Sequence, residues 1–126
     1  MAKYVDGFVL AIPADRADEY KKMAEGGRDS WIKHGALAYF ECRGDDLAAQ
    51  EMGDERSRTF PELAGAGAGE DVWFSFIMFE SKAHRDEVNA KVMKEMGEQA
   101  TEYEDVFVPF DMTRMAYGGF QVEVEG

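Results

Sequence analysis

The sequence predicts an α+β fold, in which an antiparallel sheet carries two helices on one face. The run of residues 72–79 is apolar at nearly every position and therefore offers large side chains to both faces of a strand; residues 4–12 are similar. Only two amphipathic helices are available, which is enough to cover one face. A second copy of the same sheet is the simplest cover for the other face, so we expect a homodimer.

The length and the cysteine content limit the class of protein. With 126 residues and a mass of 14.2 kDa, the chain is expected to form one domain over residues 1–126. No apolar run approaches the length of a membrane span, so no membrane partner is expected. The lone Cys42 cannot form an intrachain disulfide, which fits a cytoplasmic protein. Its strand context predicts a buried, inert thiol.

The net charge of −12 bears on the partners of the chain. A nucleic-acid-binding protein needs a patch of lysine and arginine to displace counterions from phosphates. Here the cations are scattered among more numerous acids, and residues 98–111 contain no cation. We therefore expect no nucleic-acid partner and little affinity for anionic membranes.

The first strand, residues 4–12, is closed by Pro13, and a helix is predicted over residues 15–34. Apolar side chains recur in this helix at steps of three and four residues, and Gly35 supplies a left-handed stop. Gly27 lies on the apolar stripe. It predicts either a close approach of the helix to the sheet or a local kink.

The second strand is predicted over residues 36–43. The polar and glycine-rich residues 44–71 are interpreted as a long loop. The third strand follows over residues 72–80, and Ser81 is the expected N-cap of a second helix that ends at Gly97.

Residues 98–111 are acidic and irregular, with a short helix ahead of Pro109 as one interpretation. The last strand is predicted over residues 114–125. Gly118 and Gly119 within it suggest a bulge or a place where backbone or ligand comes close. The resulting order β-α-β-β-α-β predicts a ferredoxin-like sandwich with both helices on one face of the sheet.

Asp6 is the first candidate site residue, because it shares a strand face with Tyr4 and Phe8. A carboxyl group among large apolar side chains must be hydrogen-bonded or protonated. One interpretation is a buried pair with Arg114 or with a backbone amide. The other is a polar group in a ligand cavity.

The start of the second helix supplies two more candidates, His84 and Arg85. His84 falls on the apolar stripe, where a hydrogen-bonded core or interface histidine and a ligand-facing histidine are the two interpretations. Arg85, with Asp86 beside it, could form an ion-pair network with Asp6 or Glu41.

Trp73 is the last candidate, near the start of the third strand. It is interpreted either as an exposed or interface indole, or as part of a cavity together with Asp6 and His84. No phosphate-binding glycine motif and no Ser/His/Asp spacing is recognisable. One cysteine and two separated histidines do not predict a zinc site, so we expect no metal and no cofactor.

Three separated segments resemble one family. They are YVDGFV at residues 4–9, ESKAHRD at 80–86 with NAKVM at 89–93, and PFD at 109–111 with RM at 114–115 and YGGF at 117–120. In this order they resemble the YbaA-like family of uncharacterised small bacterial proteins. The resemblance implies a ferredoxin-like fold of the dimeric α/β-barrel kind, with sheets packed face to face, and it implies no reaction.

Three functions are compatible with these observations. The first is the binding of a small molecule in a cavity between sheet and helices, with Asp6, Trp73, His84 and Arg85 as candidate ligand-binding residues. The second, by fold analogy, is a cofactor-independent monooxygenase or a haem-degrading enzyme. Haem-degrading members of the superfamily carry Asn, Trp and a ligating His at similar places, and here Asp6 stands where the amide would be. The third is a structural interaction protein with no ligand site.

Overall fold

A computed structural model describes residues 2–99 and 111–126 of the chain. Its secondary-structure elements, in chain order, are β1 (Tyr4–Pro13), α1 (Ala17–Lys33), β2 (Ala38–Arg43), β3 (Glu51–Met52), β4 (Glu55–Arg56), α2 (Phe60–Ala64), β5 (Glu70–Phe79), α3 (Lys82–Gln99) and β6 (Ala116–Gln121). Short 3₁₀ turns at Ala14–Arg16 and Met112–Arg114 precede α1 and β6.

Four strands form one antiparallel sheet in the order β2-β5-β1-β6, and β3 and β4 form a separate two-stranded ribbon. Helices α1 and α3 pack on the side of the sheet that carries Leu10, Ile12, Ile77 and Phe79, which we call the helix face. The predicted α+β fold with an antiparallel sheet is confirmed.

Helix α2 packs on the opposite side of the sheet. The ring of Phe60 lies 6.4 Å from that of Phe74, whose side chain alternates with those of the helix face. Among the described residues, no other helix packs on this side of the sheet. Cys42, on the edge strand β2, points to it and is exposed. The prediction of a buried thiol is therefore wrong for the single chain, because nothing in the described residues covers this end of β2.

Helix α1 is continuous from Ala17 to Lys33, and Gly35 follows it with a φ of +115°. A Cβ on Gly27 would lie 3.1 Å from the hydroxyl oxygen of Tyr39. The structure therefore supports the first interpretation of Gly27, a close approach of the helix to the sheet. His34, the C-cap residue, contacts the Glu95 carboxylate of α3, and this contact lowers the pKa of Glu95.

The interpretation of residues 44–71 as one long loop is wrong, because β3, β4 and α2 lie within it. The Thr59 hydroxyl oxygen accepts a hydrogen bond of 3.2 Å from the Glu62 amide at the start of α2. Gly65 ends this helix with a φ of +64°. The spacing Thr-x-x-Glu is that of a capping box, so the signal was present in the sequence.

Helix α3 begins as predicted but ends later. The Ser81 hydroxyl oxygen accepts a hydrogen bond of 3.1 Å from the His84 amide, which confirms the N-cap. The helix then passes through Gly97 and reaches Gln99. A glycine lowers helix stability by about 1 kcal/mol relative to alanine, and it stops a helix only when it adopts a positive φ, which Gly97 does not.

Strand β6 is shorter than residues 114–125, and its pairing with β1 is continuous through both glycines. A Cβ on Gly119 would lie 2.5 Å from the Tyr4 hydroxyl oxygen, so this glycine allows a close approach rather than a bulge. The short helix considered ahead of Pro109 lies outside the described residues. No helix in the described ranges is long and apolar enough to cross a membrane.

Candidate functional site

A cavity of about 530 Å³ lies between the helix face, α1, α3 and the chain that leads into β6. Most of its wall is apolar. The apolar residues include the five methionines Met23, Met93, Met96, Met112 and Met115, together with Phe8, Leu10, Trp31 and Ile77. The carboxyl groups of Asp6 and Glu41 enter this apolar wall from two different strands.

Asp6 of β1 is 1% exposed and is held by α3. Its carboxylate accepts a hydrogen bond of 2.7 Å from Arg85 Nη1 and one of 3.3 Å from Asn89 Nδ2. The Asn89 Oδ1 in turn accepts a hydrogen bond of 2.9 Å from Trp31 Nε1, which fixes the orientation of the amide. Asp6 is therefore part of an ion-paired network that joins β1, α1 and α3.

Arg85 is the cationic partner of Asp6. Of the two carboxyl groups considered, it pairs with Asp6 and not with Glu41. It also donates to Asp86 at 2.7 Å, and its guanidinium carbon lies 4.9 Å from the centre of the Tyr4 ring. Only 14% of its side chain is exposed, so Asp6 and Arg85 neutralise one another largely out of water.

The considered pair between Asp6 and Arg114 is wrong. Arg114 lies in the turn before β6 and donates hydrogen bonds of 2.6 and 2.8 Å to the two carboxylate oxygens of Glu70. These bonds lower the pKa of Glu70 to about 2. The register explains the difference, because Arg114 precedes β6 and lies near the end of the sheet where Glu70 starts β5.

Glu41 of β2 is held by hydroxyl groups. Its Oε1 accepts a hydrogen bond of 2.7 Å from Tyr39 Oη, and its Oε2 accepts one of 2.8 Å from Tyr20 Oη. Burial raises the pKa of Glu41, while hydrogen bonds from Tyr39, Tyr20 and Ser75 act in the opposite direction. Within the described residues, Glu41 makes no ion pair.

The hydroxyl groups of Tyr20 and Tyr39 also have shifted pKa values. Burial, and after it the neighbouring Glu41 carboxylate, raises the pKa of both Tyr20 and Tyr39. Both hydroxyl groups consequently remain protonated and act as donors to Glu41 near neutral pH.

Trp73 lies in the core and does not line the cavity. Its side chain is 6% exposed and meets the ring of Tyr20 edge-on at 4.9 Å. The interpretation as an exposed or interface indole is therefore wrong. Among the residues that the structure describes, its Nε1 has no hydrogen-bond partner.

His84 lies at the start of α3, where its Nδ1 accepts a hydrogen bond of 3.0 Å from the Glu80 amide. Its ring meets that of Phe79 edge-on at 6.0 Å. Of the two interpretations of His84, the structure therefore supports the hydrogen-bonded histidine. Asp6 therefore lines the cavity and is paired with Arg85, whereas Trp73 and His84 do not line it. The haem-enzyme analogy required Asp6, Trp73 and His84 to meet at one site, and the structure does not bring them together.

Sequence reasoning did not select Tyr20, Tyr39 or Ser75, and it considered Glu41 only as a partner of Arg85. A signal existed, since Tyr39 and Glu41 alternate along β2 and therefore share a face. The strand pairing places Glu41 opposite Ser75. The contribution of Tyr20 from α1 had no comparable local signal.

The fold and the site define a small α+β protein with a largely apolar cavity, in which one carboxyl group is ion-paired and the other is held by hydroxyl groups. The chain belongs to the family described as "Protein of unknown function (DUF1428)", which matches residues 3–112. It is 40% identical over 124 residues to "Uncharacterized protein YbaA" of Escherichia coli strain K12, covering 94% of this chain and 95% of that protein. The figures for the Shigella flexneri protein are the same.

These comparisons confirm the resemblance to the YbaA-like family, and the names assign neither ligand nor reaction. Among solved structures, the de novo designed protein Foldit4 overlaps with a TM-score of 0.40 and 6% identity, covering 98% of this chain and 99% of that one. A likeness of this size supports no conclusion about the chain.

Proposed function

We propose that this is a cytosolic small-molecule-binding protein whose ligand occupies the cavity between the helix face, α1 and α3. The observation that carries the proposal is a space of about 530 Å³ with an apolar wall and two placed carboxyl groups, Asp6 and Glu41. Ligand sites in proteins commonly measure about 300–1,000 Å³ and combine an apolar lining with a few polar groups. A protein without a ligand would gain stability by filling such a space.

The methionines of the wall support the same proposal. Methionine is unbranched and polarisable, and it adapts its shape to irregular or varied apolar partners. Met93 and Met96, both on α3, are 54% and 41% exposed and line the cavity. They can therefore move without disturbing the packed part of the core, which suits the entry of a ligand.

A neutral fluorescent probe, N-phenyl-1-naphthylamine, tests the proposal. We expect saturable binding of one probe per chain, with enhanced emission. Met93→Trp should weaken binding because it fills the cavity from its rim, whereas Ala90→Trp, on the exposed side of α3, should not. Absence of saturable binding would overturn the proposal, as would equal binding by the two variants.

We further propose that the sheet with α1 and α3 forms a ferredoxin-like unit, and that two units pair face to face as a dimeric α/β barrel. The strand order β2-β5-β1-β6 and the two helices on one face support the first part. The open face, opposite the helix face, supports the second. Its side chains are Val5, Val9, Phe40, Phe74, Phe76, Met78 and Phe120.

The open face suits a second copy of this chain. Phe40, Phe74 and Phe120 are 51%, 42% and 63% exposed, and the rings of Phe40 and Phe76 stack at 5.0 Å. Soluble monomers rarely expose apolar patches beyond a few hundred Å². Two chains of net charge −12 can approach closely only through surfaces that carry no charge, and the side chains that define the open face are all uncharged.

Sedimentation tests the dimer. At micromolar concentration the wild-type mass should be about twice 14.2 kDa. Phe74→Glu should give a folded monomer, because a charge would be buried without a partner. Ile32→Glu, an equally exposed apolar residue on α1, should leave the dimer intact. A wild-type monomer at this concentration would contradict the architecture.

A further inference from the structure

The two carboxyl groups of the cavity differ in charge balance. Asp6 lies 2.7 Å from Arg85 Nη1, so its charge is cancelled within the protein. Glu41 receives hydrogen bonds from Tyr20 and Tyr39 but forms no ion pair with any described residue. Hydroxyl groups stabilise a carboxylate without neutralising it. The cavity therefore contains one acidic group without a counter-ion.

Among the residues that the structure describes, no positive side chain lines the cavity to supply that counter-ion. Its lining, within the described part of the chain, includes no lysine, arginine or histidine. Lys21, Arg28 and Arg43 line a neighbouring groove, which shares Tyr39 and Glu41 with the cavity, and none of the three forms an ion pair with Glu41. The raised pKa of Glu41 has the same origin, since burial without a cation disfavours the charged form.

The wall around Glu41 can hold a cation. Tyr20, Trp31 and Tyr39 all line the cavity, and the rings of Trp31 and Tyr39 lie 6.2 Å apart at 37°. Aromatic faces attract ammonium groups, most strongly when a site is shielded from water. The net charge of −12 also raises the local concentration of cations around the chain.

We propose that the ligand of this cavity is an organic cation, an amine with an apolar body, whose ammonium group pairs with the Glu41 carboxylate beside Tyr39 and Trp31. The apolar body lies against the methionines of α3 and of the chain before β6. This inference rests on the proposed function, because it requires the cavity to be a ligand site. It adds the charge of the ligand and the residue that selects it.

Three ligands of equal chain length and different head group test the proposal: octylamine, 1-octanol and octanoate. Each displaces N-phenyl-1-naphthylamine in a titration at about pH 7.5, where an alkylamine is protonated. The wild-type chain should bind octylamine about tenfold more tightly than 1-octanol, since hydrogen bonds to charged groups are the stronger ones. Octanoate should bind most weakly. Equal affinities, or a preference for octanoate, would overturn the inference.

Glu41→Gln then tests the assigned residue. The amide keeps the shape of the side chain. Its carbonyl oxygen can accept from one of the two tyrosines, and its NH2 group can donate to the hydroxyl oxygen of the other. The preference for octylamine over 1-octanol should fall to within about twofold. Glu19→Gln, on the exposed side of α1, makes the same change in net charge and should keep the preference. A preference that survives Glu41→Gln would overturn the inference.

The outcomes separate this inference from the function on which it rests. If neither the neutral probe nor any of the three ligands binds saturably, the proposed function and the inference both fail. If the probe and 1-octanol bind but octylamine has no advantage, the proposed function stands and the inference alone fails. The wild-type series is decisive by itself, so the test does not depend on the stability of a variant.

Discussion

The two faces of the same sheet treat polar groups in opposite ways. On the helix face, Asp6 and Glu41 are buried or half-buried beneath α1 and α3. Asp6 accepts hydrogen bonds from two residues of α3, and Glu41 accepts them from α1 and β2. The side chains that define the open face are all uncharged; they include Val5 and Val9 of β1 and Phe74, Phe76 and Met78 of β5. The comparison teaches that the chain places these two carboxyl groups on the face where it supplies their hydrogen-bond partners itself.

The largest difference between the faces is expected for Phe79→Ala and Phe74→Ala. Phe79 is 0% exposed on the helix face, so its truncation should cost about 3–5 kcal/mol of unfolding free energy. Phe74 is 42% exposed, so its truncation should cost less than half as much in dilute solution. Urea unfolding at two protein concentrations measures both. Equal, concentration-independent losses would remove the distinction between the faces.

Asp6→Asn is expected to have the next largest effect. Asp6 is only 1% exposed, and the substitution removes the negative charge with which Arg85 is paired. We expect a loss of about 1–3 kcal/mol. Asp86→Asn changes a more exposed partner of the same arginine and should cost less than about 1 kcal/mol. Thermal melts of the two variants decide, and a neutral Asp6→Asn would argue against a structural ion pair.

Glu41→Gln should change the pH dependence of stability. Burial raises the pKa of Glu41 above 4.5, so the folded state binds more protons than the unfolded state between these two pKa values. Wild-type stability therefore falls as the pH rises from 4.5 through the folded pKa, and the glutamine variant lacks this contribution. Melting temperatures between acidic and neutral pH should shift in favour of Glu41→Gln. A constant difference would contradict the raised pKa.

Arg114→Gln is expected to have the smallest effect on stability. Its pH dependence has the opposite sign to that of Glu41→Gln, because the pKa of Glu70 is lowered whereas that of Glu41 is raised. Hydrogen bonds from Arg114 lower the pKa of Glu70 to about 2, so the pair stabilises the fold above pH 4.5 and this contribution is lost as the pH falls towards 2. In the variant, the pKa of Glu70 should move back towards 4.5, measured by carboxyl chemical shifts in an NMR titration. An unchanged titration would show that Arg114 is not the cause.

Local signals explain which parts of the fold could be predicted. The run of residues 72–79, the N-cap at Ser81 and the stop at Gly35 each act over a few residues, and the structure has them close to their predicted places. The same kind of signal at Thr59 was present and was missed. The prediction that α3 ends at Gly97 was wrong because the residue type alone does not fix φ.

The sequence by itself determined the alternation that gives the sheet two apolar faces, the helices that cover one of them, and the family to which the chain belongs. The tertiary structure decided which groups meet in the cavity. Asp6 pairs with a residue 79 positions away and Glu41 with a tyrosine 21 positions away, while Trp73 and His84 turn to other partners. The physical reason is that side-chain periodicity and capping are local properties of the backbone. The partner of a buried carboxyl group depends instead on where a helix crosses a strand.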